Sequence, residues 1–163
     1  MRVLLLALAG CGYRFTGTSS LADQGIRRVA IPVFTNATAE PRIEQPFTES
    51  LIREFTRARG VRVTTVAEAD ATVEGAVKSV DVATVTLERT GLAQEYRVTV
   101  YLDVKLRRAR DGQLLWHDAN VRWHKEYQAP QDPLINEDRK RDAIQKVAEE
   151  LGRELYFRIS GGF

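Results

Sequence analysis

The feature of this sequence that most constrains its fold is an unbroken alternation of apolar and polar residues across positions 96–107. One set of alternate positions is apolar throughout, and comprises Tyr96, Val98, Val100, Leu102, Val104 and Leu106. The intervening positions carry mostly polar or charged residues, and comprise Arg97, Thr99, Tyr101, Asp103, Lys105 and Arg107. Because successive side chains of a strand point to opposite faces, this pattern predicts a long strand with one buried and one solvent-facing side. Other elements of the chain must therefore cover the apolar side.

Two further long strands are predicted on either side of this one. The pair Asp111-Gly112 is typical of a hairpin turn, so we expect residues 113–127 to pair back in an antiparallel direction. Trp116 and Trp123 are seven positions apart and would lie on opposite faces of a regular strand, so a bulge near residues 118–120 is predicted to bring both inward. Residues 71–87 are rich in Val and Thr, and their period-two pattern slips twice, which predicts further bulges or bends.

Two amphipathic helices are predicted from apolar residues that recur at helical spacing. The first helix, at about residues 43–59, has a stripe formed by Ile43, Phe47, Leu51 and Phe55. The second begins with Asn136 as its N-cap, runs to about Arg158, and has a stripe formed by Ile144, Val147, Leu151, Leu155 and Ile159. Short strands at 29–34, where Pro32 suggests an edge or a bulge, and at 61–66 flank the first helix. Strand, helix and strand in this order predict a right-handed crossover between parallel strands.

The resulting order is β-α-β-β-β-β-α. We predict an α+β fold, a two-layer sandwich in which two amphipathic helices pack on one face of a mostly antiparallel sheet of four to five strands. A hydrophobic content of 44% and a charged content of 28% are ordinary for a folded domain. Residues 28–163 are enough for one such domain with its own core.

The N-terminal stretch Leu8-Ala9-Gly10-Cys11 matches the pattern that bacterial lipoprotein processing recognises. Residues 1–10 then form a signal peptide with one arginine and a short apolar run, far below the roughly 20 residues that span a bilayer. Cys11 is the only cysteine, so it forms no internal disulfide. We predict that Cys11 is lipidated and that residues 11–27 are a tether, with Gly12 favouring the outer membrane. The alternative is a buried N-terminal strand with an ordinary core cysteine.

The sequence contains no recognisable catalytic or metal-binding motif. The only two histidines, His117 and His124, lack a carboxylate cluster at ligand spacing, and we expect them to be solvated or hydrogen-bonded strand residues. We therefore predict a protein that is not an enzyme and that requires no cofactor or metal. A formal net charge of only +2 argues against binding to nucleic acid.

One local concentration of positive charge lies at the end of the predicted hairpin. Four cations fall within six residues and the partner strand adds two more, giving Lys105, Arg107, Arg108, Arg110, Arg122 and Lys125. Arginine binds phosphate through two parallel hydrogen bonds, and lysine adds a point charge. These residues predict a site for a phosphorylated glycolipid or for an acidic protein loop. The alternative is a solvated hairpin end whose charges prevent edge-to-edge pairing.

The order and spacing of several stretches resemble the LPS-assembly lipoprotein LptE family. The stretches are residues 11–15 (CGYRF), 29–38 (VAIPVFTNAT), 40–44 (EPRIE), 95–100 (EYRVTV) and the hairpin from Asp111-Gly112 to Leu115-Trp116. The resemblance covers essentially the whole chain after Gly10.

This resemblance implies an outer-membrane lipoprotein that faces the periplasm, plugs and helps assemble the β-barrel LptD, and takes part in inserting lipopolysaccharide into the outer leaflet. It implies LptD, lipopolysaccharide and the membrane as partners, and the family is known to bind lipopolysaccharide through basic residues. The six cations named above are an inference from this sequence and are not carried over from the family. Residues 29–38 also resemble the opening strand of penicillin-binding-protein activators and curli-secretion lipoproteins, which leaves those two classes as the alternative.

Overall fold

The computed structural model of the chain describes residues 21–87, 93–128 and 130–161. The predicted signal peptide and Cys11 lie outside these ranges. Within them the elements are β1 (Arg28–Ala30), β2 (Thr35–Asn36), α1 (Glu44–Arg57), β3 (Arg62–Val63), a short 3-10 helix (Val66–Glu68), β4 (Ala71–Leu87), β5 (Ala93–Arg108), β6 (Leu114–Gln128) and α2 (Pro133–Gly161).

The strands form one sheet in the order β3-β1-β4-β5-β6, with β2 also paired to β4. β1 is parallel to both β3 and β4, and β2 is parallel to β4. The pairs β4–β5 and β5–β6 are antiparallel. The predicted α+β class and the parallel crossover through α1 are confirmed. The prediction of a mostly antiparallel sheet of four to five strands is wrong, because the sheet is mixed and the described residues include six strands.

The correction arises from the segment predicted as a single strand at residues 29–34. Only its start is a strand, β1, and a second short strand, β2, begins just after its end at Thr35. Both strands pair in parallel with β4, Val29 opposite Ala71 and Thr35 opposite Ala76. Pro32 lies in the break, where its missing N–H cannot contribute to a ladder. Residues 28–36 therefore supply two short parallel strands to the same neighbour.

Both predicted helical stripes are buried in the core between the helices and the sheet. α1 and α2 pack against each other, and a Cβ atom at Gly152 would lie 2.4 Å from Ser50 Oγ, so glycine allows the helices to approach closely. A buried hydroxyl joins α1 to the break between β1 and β2. Thr48 Oγ1 accepts a hydrogen bond from the Phe34 N–H at 3.0 Å and donates one to the Glu44 carbonyl at 2.8 Å.

The bulge predicted in the third long strand is present. The β5–β6 register shifts between Leu102 and Val104, which pair with Val121 and Asp118. Trp116 and Trp123 consequently pair with the buried residues of β5 and pack against the core, as predicted. The two predicted irregularities of β4 are also confirmed, as register shifts between residues 77 and 79 and between residues 84 and 87.

The start of α2 differs from the prediction. The helix begins at Pro133, and Asp132 Oδ1 accepts the Leu134 N–H at 2.9 Å, so Asn136 is not the N-cap. Proline is well tolerated in the first turn of a helix, where its missing N–H costs nothing. Leu21 and Ile26, which fall in the segment predicted as a tether, are buried in the core at 1% and 2% exposure.

Candidate ligand-binding surface on the open face of the sheet

The helices cover one side of β4, β5 and β6, and no described element covers the other. We call this second side the open face. Residues directly opposite each other on paired strands share a face, so the register assigns its members. They are Thr72, Glu74, Ala76, Ser79, Asp81, Ala83 and Thr86 on β4, Glu95, Arg97, Thr99, Tyr101, Asp103, Lys105 and Arg107 on β5, and Leu114, His117, Arg122, His124, Glu126 and Gln128 on β6.

The structure divides the six cations predicted from the sequence into three groups. Lys105, Arg107 and Arg122 lie on the open face. Arg108 and Arg110 lie where β5 ends and the turn to β6 begins, and Arg108 is opposite the buried Ala71 on the helix side. Lys125 pairs with the buried residue Val98 and therefore lies on the helix side of the sheet.

The two predicted cations on the open face of β5 are partly neutralised by neighbouring carboxylates. Lys105 Nζ is 3.4 Å from Asp103 Oδ2, and Arg107 Nε is 3.3 Å from Glu74 Oε2. Burial raises the pKa of Asp103, but hydrogen bonding to His117 at 2.8 Å and the charge of Lys105 outweigh it and leave the pKa lowered. A phosphate that bound here would compete with these internal ion pairs.

The two arginines of the turn share one carboxylate. Arg108 Nη1 and Arg110 Nε are 3.2 Å and 3.3 Å from Asp111 Oδ2, and Arg108 also donates to Gln113 Oε1 at 2.7 Å. The Gln113 N–H and then the two arginines lower the pKa of Asp111. Arg110 is 76% exposed, so its guanidinium retains most of its hydrogen-bonding capacity for a ligand.

Among the six predicted cations, Arg122 is the one whose charge is not offset by a carboxylate of the described residues. It is exposed and lies opposite Tyr101 in the ladder, and its guanidinium makes no hydrogen bond or ion pair with any residue that the structure describes. A shallow depression of about 620 Å³ surrounds it, and is lined by Arg97, Thr99, Tyr101, Arg122, Trp123, His124 and Glu150. Arg122 and Lys105 are separated by four residues of β5, about 13 Å along the strand.

Arg97, Tyr101 and His124 were not predicted as members of this site. All three surround Arg122, although Arg97 is also bonded to Glu126. The alternation that Arg97 and Tyr101 share with Lys105 was visible in the sequence. The register of β6 on β5 could not be read from the sequence. It places Arg122 beside the middle of β5 and away from the hairpin turn.

Lys125 has a partner on α2. It donates to Glu150 Oε1 at 2.8 Å, while Trp123 Nε1 donates to Glu150 Oε2 at 2.8 Å. The bond from Lys125 and then that from Trp123 lower the pKa of Glu150. Near the end of the helix, Arg158 Nη1 contacts Asp118 Oδ2 at 3.0 Å. These contacts hold β6 against α2 and so fix the position from which Arg122 points outward.

The two histidines do not form a joint site. The bulge in β6 places both on the open face, where His117 lies opposite Lys105 and His124 opposite Thr99. Six residues of β5 separate those positions, about 20 Å. Among the residues that the structure describes, no group of three or more His, Cys, Asp or Glu is arranged to hold a metal ion.

Neither described helix is long and apolar enough to cross a membrane.

Several solved structures share this fold at low sequence identity. An uncharacterised lipoprotein B from Nitrosomonas europaea aligns with a TM-score of 0.58 at 14% identity, covering 96% of this chain and 91% of that chain. A protein from Chlamydia trachomatis aligns with a TM-score of 0.56 at 10% identity, covering 82% and 95%. A minor lipoprotein from Acinetobacter baumannii aligns with a TM-score of 0.53 at 13% identity, covering 82% and 90%. These similarities support the fold alone.

No curated protein sequence is significantly similar to the chain. A family model described as LptE, lipopolysaccharide-assembly, matches residues 26–159, which include all the described strands and nearly all of α2. Because the match covers most of the chain, this protein belongs to the LptE family of lipopolysaccharide assembly.

Proposed function

We propose that this protein is an outer-membrane lipoprotein, facing the periplasm, that plugs and helps assemble the LptD β-barrel and takes part in inserting lipopolysaccharide into the outer leaflet. The single observation that carries this proposal is the family match across residues 26–159. Cys11, left as the first residue after removal of residues 1–10, would carry the lipid chains. Two or more chains are needed for stable anchoring, at about 0.8 kcal/mol for each buried methylene. No step of this role requires catalysis by the chain.

The polarity of the open face supports the role of a plug. The lumen of a large outer-membrane barrel is polar, so a plug must present polar surface while keeping its own core closed. The open face carries charged and hydroxyl groups on all three long strands, and the helices close the core on the other side. The domain can therefore contact a hydrated lumen without exposing its apolar layer.

The lipopolysaccharide-binding part of the proposal rests on the positive charge around β5 and β6. We assign the site to Lys105, Arg107, Arg108, Arg110, Arg122 and Lys125. Within this set, Arg122 and Arg110 have the most capacity left for a phosphate. The Arg122 side chain has no partner among the described residues, and Arg110 is 76% exposed, whereas the other four cations are each paired with a carboxylate and at most 41% exposed. Lys125 would contribute only through its charge, since it lies on the other side of the strand.

Binding of purified lipopolysaccharide to the protein tests this assignment. A variant in which glutamine replaces Lys105, Arg107, Arg108 and Arg110 at once should bind at least tenfold more weakly, a loss of about 1.4 kcal/mol in binding free energy. Adding R122Q should weaken binding further. The matched control is R139Q on the exposed side of α2, which removes one positive charge away from the open face. Unchanged binding by the multiple variant would show that these cations do not bind lipopolysaccharide, and would leave them the roles of keeping the protein soluble and of preventing edge-to-edge pairing.

A further inference from the structure

The outer edge of β4 is unpaired over six residues. Residues 79–84 lie between two register shifts and pair regularly with β5 on one side only. On the other side, β2 pairs no further than Val77, and the last backbone bond there runs from the Ala37 N–H to the Val77 carbonyl at 2.9 Å. Beyond it, the outward backbone donors and acceptors of residues 79–84 have no partner among the residues that the structure describes.

Residues 79–84 themselves carry few of the features that usually prevent strand addition. Natural edge strands are protected by charges, by proline or by being short. Residues 79–84 (SVDVAT) contain no proline and one charge, and are otherwise small or β-branched residues that favour strands. The other long edge, formed by β6, carries His117, Arg122, His124, Lys125 and Glu126. The contrast between the two edges indicates that the β4 edge is available for pairing.

The side chains of this run define what can pair with it. Val80 and Val82 lie on the helix side, Val80 packing against the core and Val82 remaining 46% exposed. Asp81 lies on the open face and is exposed, and its carboxylate has no hydrogen bond or ion pair to another described residue. A strand added here would place apolar side chains beside the two valines and would leave one unpaired carboxylate to be matched.

We infer that residues 79–84 bind an extended segment of a partner protein as an added β-strand, with apolar residues on the helix side and a lysine or arginine beside Asp81. Main-chain hydrogen bonds supply the affinity of such a complex, and alternate side chains supply its specificity. The choice of a basic residue follows from charge complementarity, since opposite charges across a strand pair stabilise it and like charges destabilise it.

The carboxylate of Asp81 argues against a second copy of this chain as the strand that is added to residues 79–84. Two copies paired antiparallel about a two-fold axis through the middle of residues 79–84 would place their Asp81 side chains on the same face, directly opposite or diagonally adjacent. That arrangement brings two negative charges together at the centre of the new ladder. A basic segment of another protein removes this repulsion.

Two synthetic peptides test the inference on the full chain. One alternates valine with threonine and has lysine at its central open-face position, and the other has glutamate there. Fluorescence anisotropy should show the lysine peptide binding at least tenfold more tightly than the glutamate peptide. Hydrogen exchange should show that alternate amides of residues 79–84 exchange rapidly in the free protein and become protected by the lysine peptide.

Three variants make the test specific to this edge. V82K should abolish binding of the lysine peptide, because a charged edge opposes strand addition, and D81K should reverse the preference toward the glutamate peptide. D142K makes the same change of charge on the exposed side of α2 and should change neither affinity. Binding that survives V82K, or no binding of either peptide, would overturn the inference. A dimer of the free protein that V82K dissociates would assign the edge to a second copy and overturn the choice of partner.

Discussion

The close approach of α1 and α2 at Gly152 leads to a quantitative prediction. G152A places a methyl group 2.4 Å from Ser50 Oγ, 3.0 Å from Ser50 Cβ and 3.1 Å from the Ser50 carbonyl carbon. The last two atoms cannot move away without shifting α1. Overpacking of this kind costs roughly 1–3 kcal/mol, and the contact with backbone places G152A in the upper half of that range.

The intrinsic preference of alanine for a helix acts in the opposite direction. Alanine is favoured over glycine by about 1 kcal/mol in a helix interior. The net expectation is a loss of about 1–2 kcal/mol in the free energy of unfolding. For a chain of this length each kcal/mol lowers Tm by about 2–4 °C, so G152A should melt several degrees below the parent.

Thermal and urea unfolding followed by circular dichroism would measure this effect. The matched control is G161A at the end of α2, where an added Cβ meets no atom within 4 Å and should change stability by less than about 0.5 kcal/mol. S50G should recover part of the loss in the G152A background, because it removes the two side-chain atoms of the contact. If G152A were as stable as the parent or more stable, the close helix–helix contact would be refuted.

Two further predictions concern acid stability and the membrane anchor. Asp70 accepts hydrogen bonds from the Arg28 guanidinium and from the N–H groups of Arg27 and Arg28, which lower its pKa to about 2. D70N should therefore lower the free energy of unfolding by about 1 kcal/mol at neutral pH, after allowing for solvent screening. Urea unfolding should show that this difference from the parent shrinks between pH 4 and pH 2, because Asp70 of the parent protonates there. A difference that stayed constant with pH would contradict the lowered pKa of Asp70. C11A should release the protein from the membrane fraction in cell fractionation, and stable membrane association of this variant would exclude the lipid anchor.

Much of the fold could be predicted because periodicity reports burial directly. The alternation of β5 and the stripes of both helices identify the buried positions, and the bulge in β6 follows from the requirement that Trp116 and Trp123 reach the same side. The pairing of β1 with β4 could not be predicted. It depends on contacts between residues that are distant in sequence, such as Val29 and Ala71, and short parallel strands have no period-two signature of their own.

The candidate site was predicted as one patch, and the structure places its members on different sides of the sheet. Arg107 and Arg108 are adjacent, and Arg122 and Lys125 are an odd number of positions apart in a regular stretch, so each pair must be divided between the two faces. That division could have been read from the sequence. The bonding of Lys125 to Glu150 could not, because it depends on where α2 crosses β6.

Co-purification from cells tests the central claim most directly. The lipidated protein, isolated in mild detergent through an affinity tag at its C-terminus, should retain the LptD barrel in about equal amount, and depletion of the protein should reduce the amount of folded barrel. Recovery of the lipidated protein without the barrel, or with a peptidoglycan synthase in its place, would contradict the proposed role in lipopolysaccharide assembly.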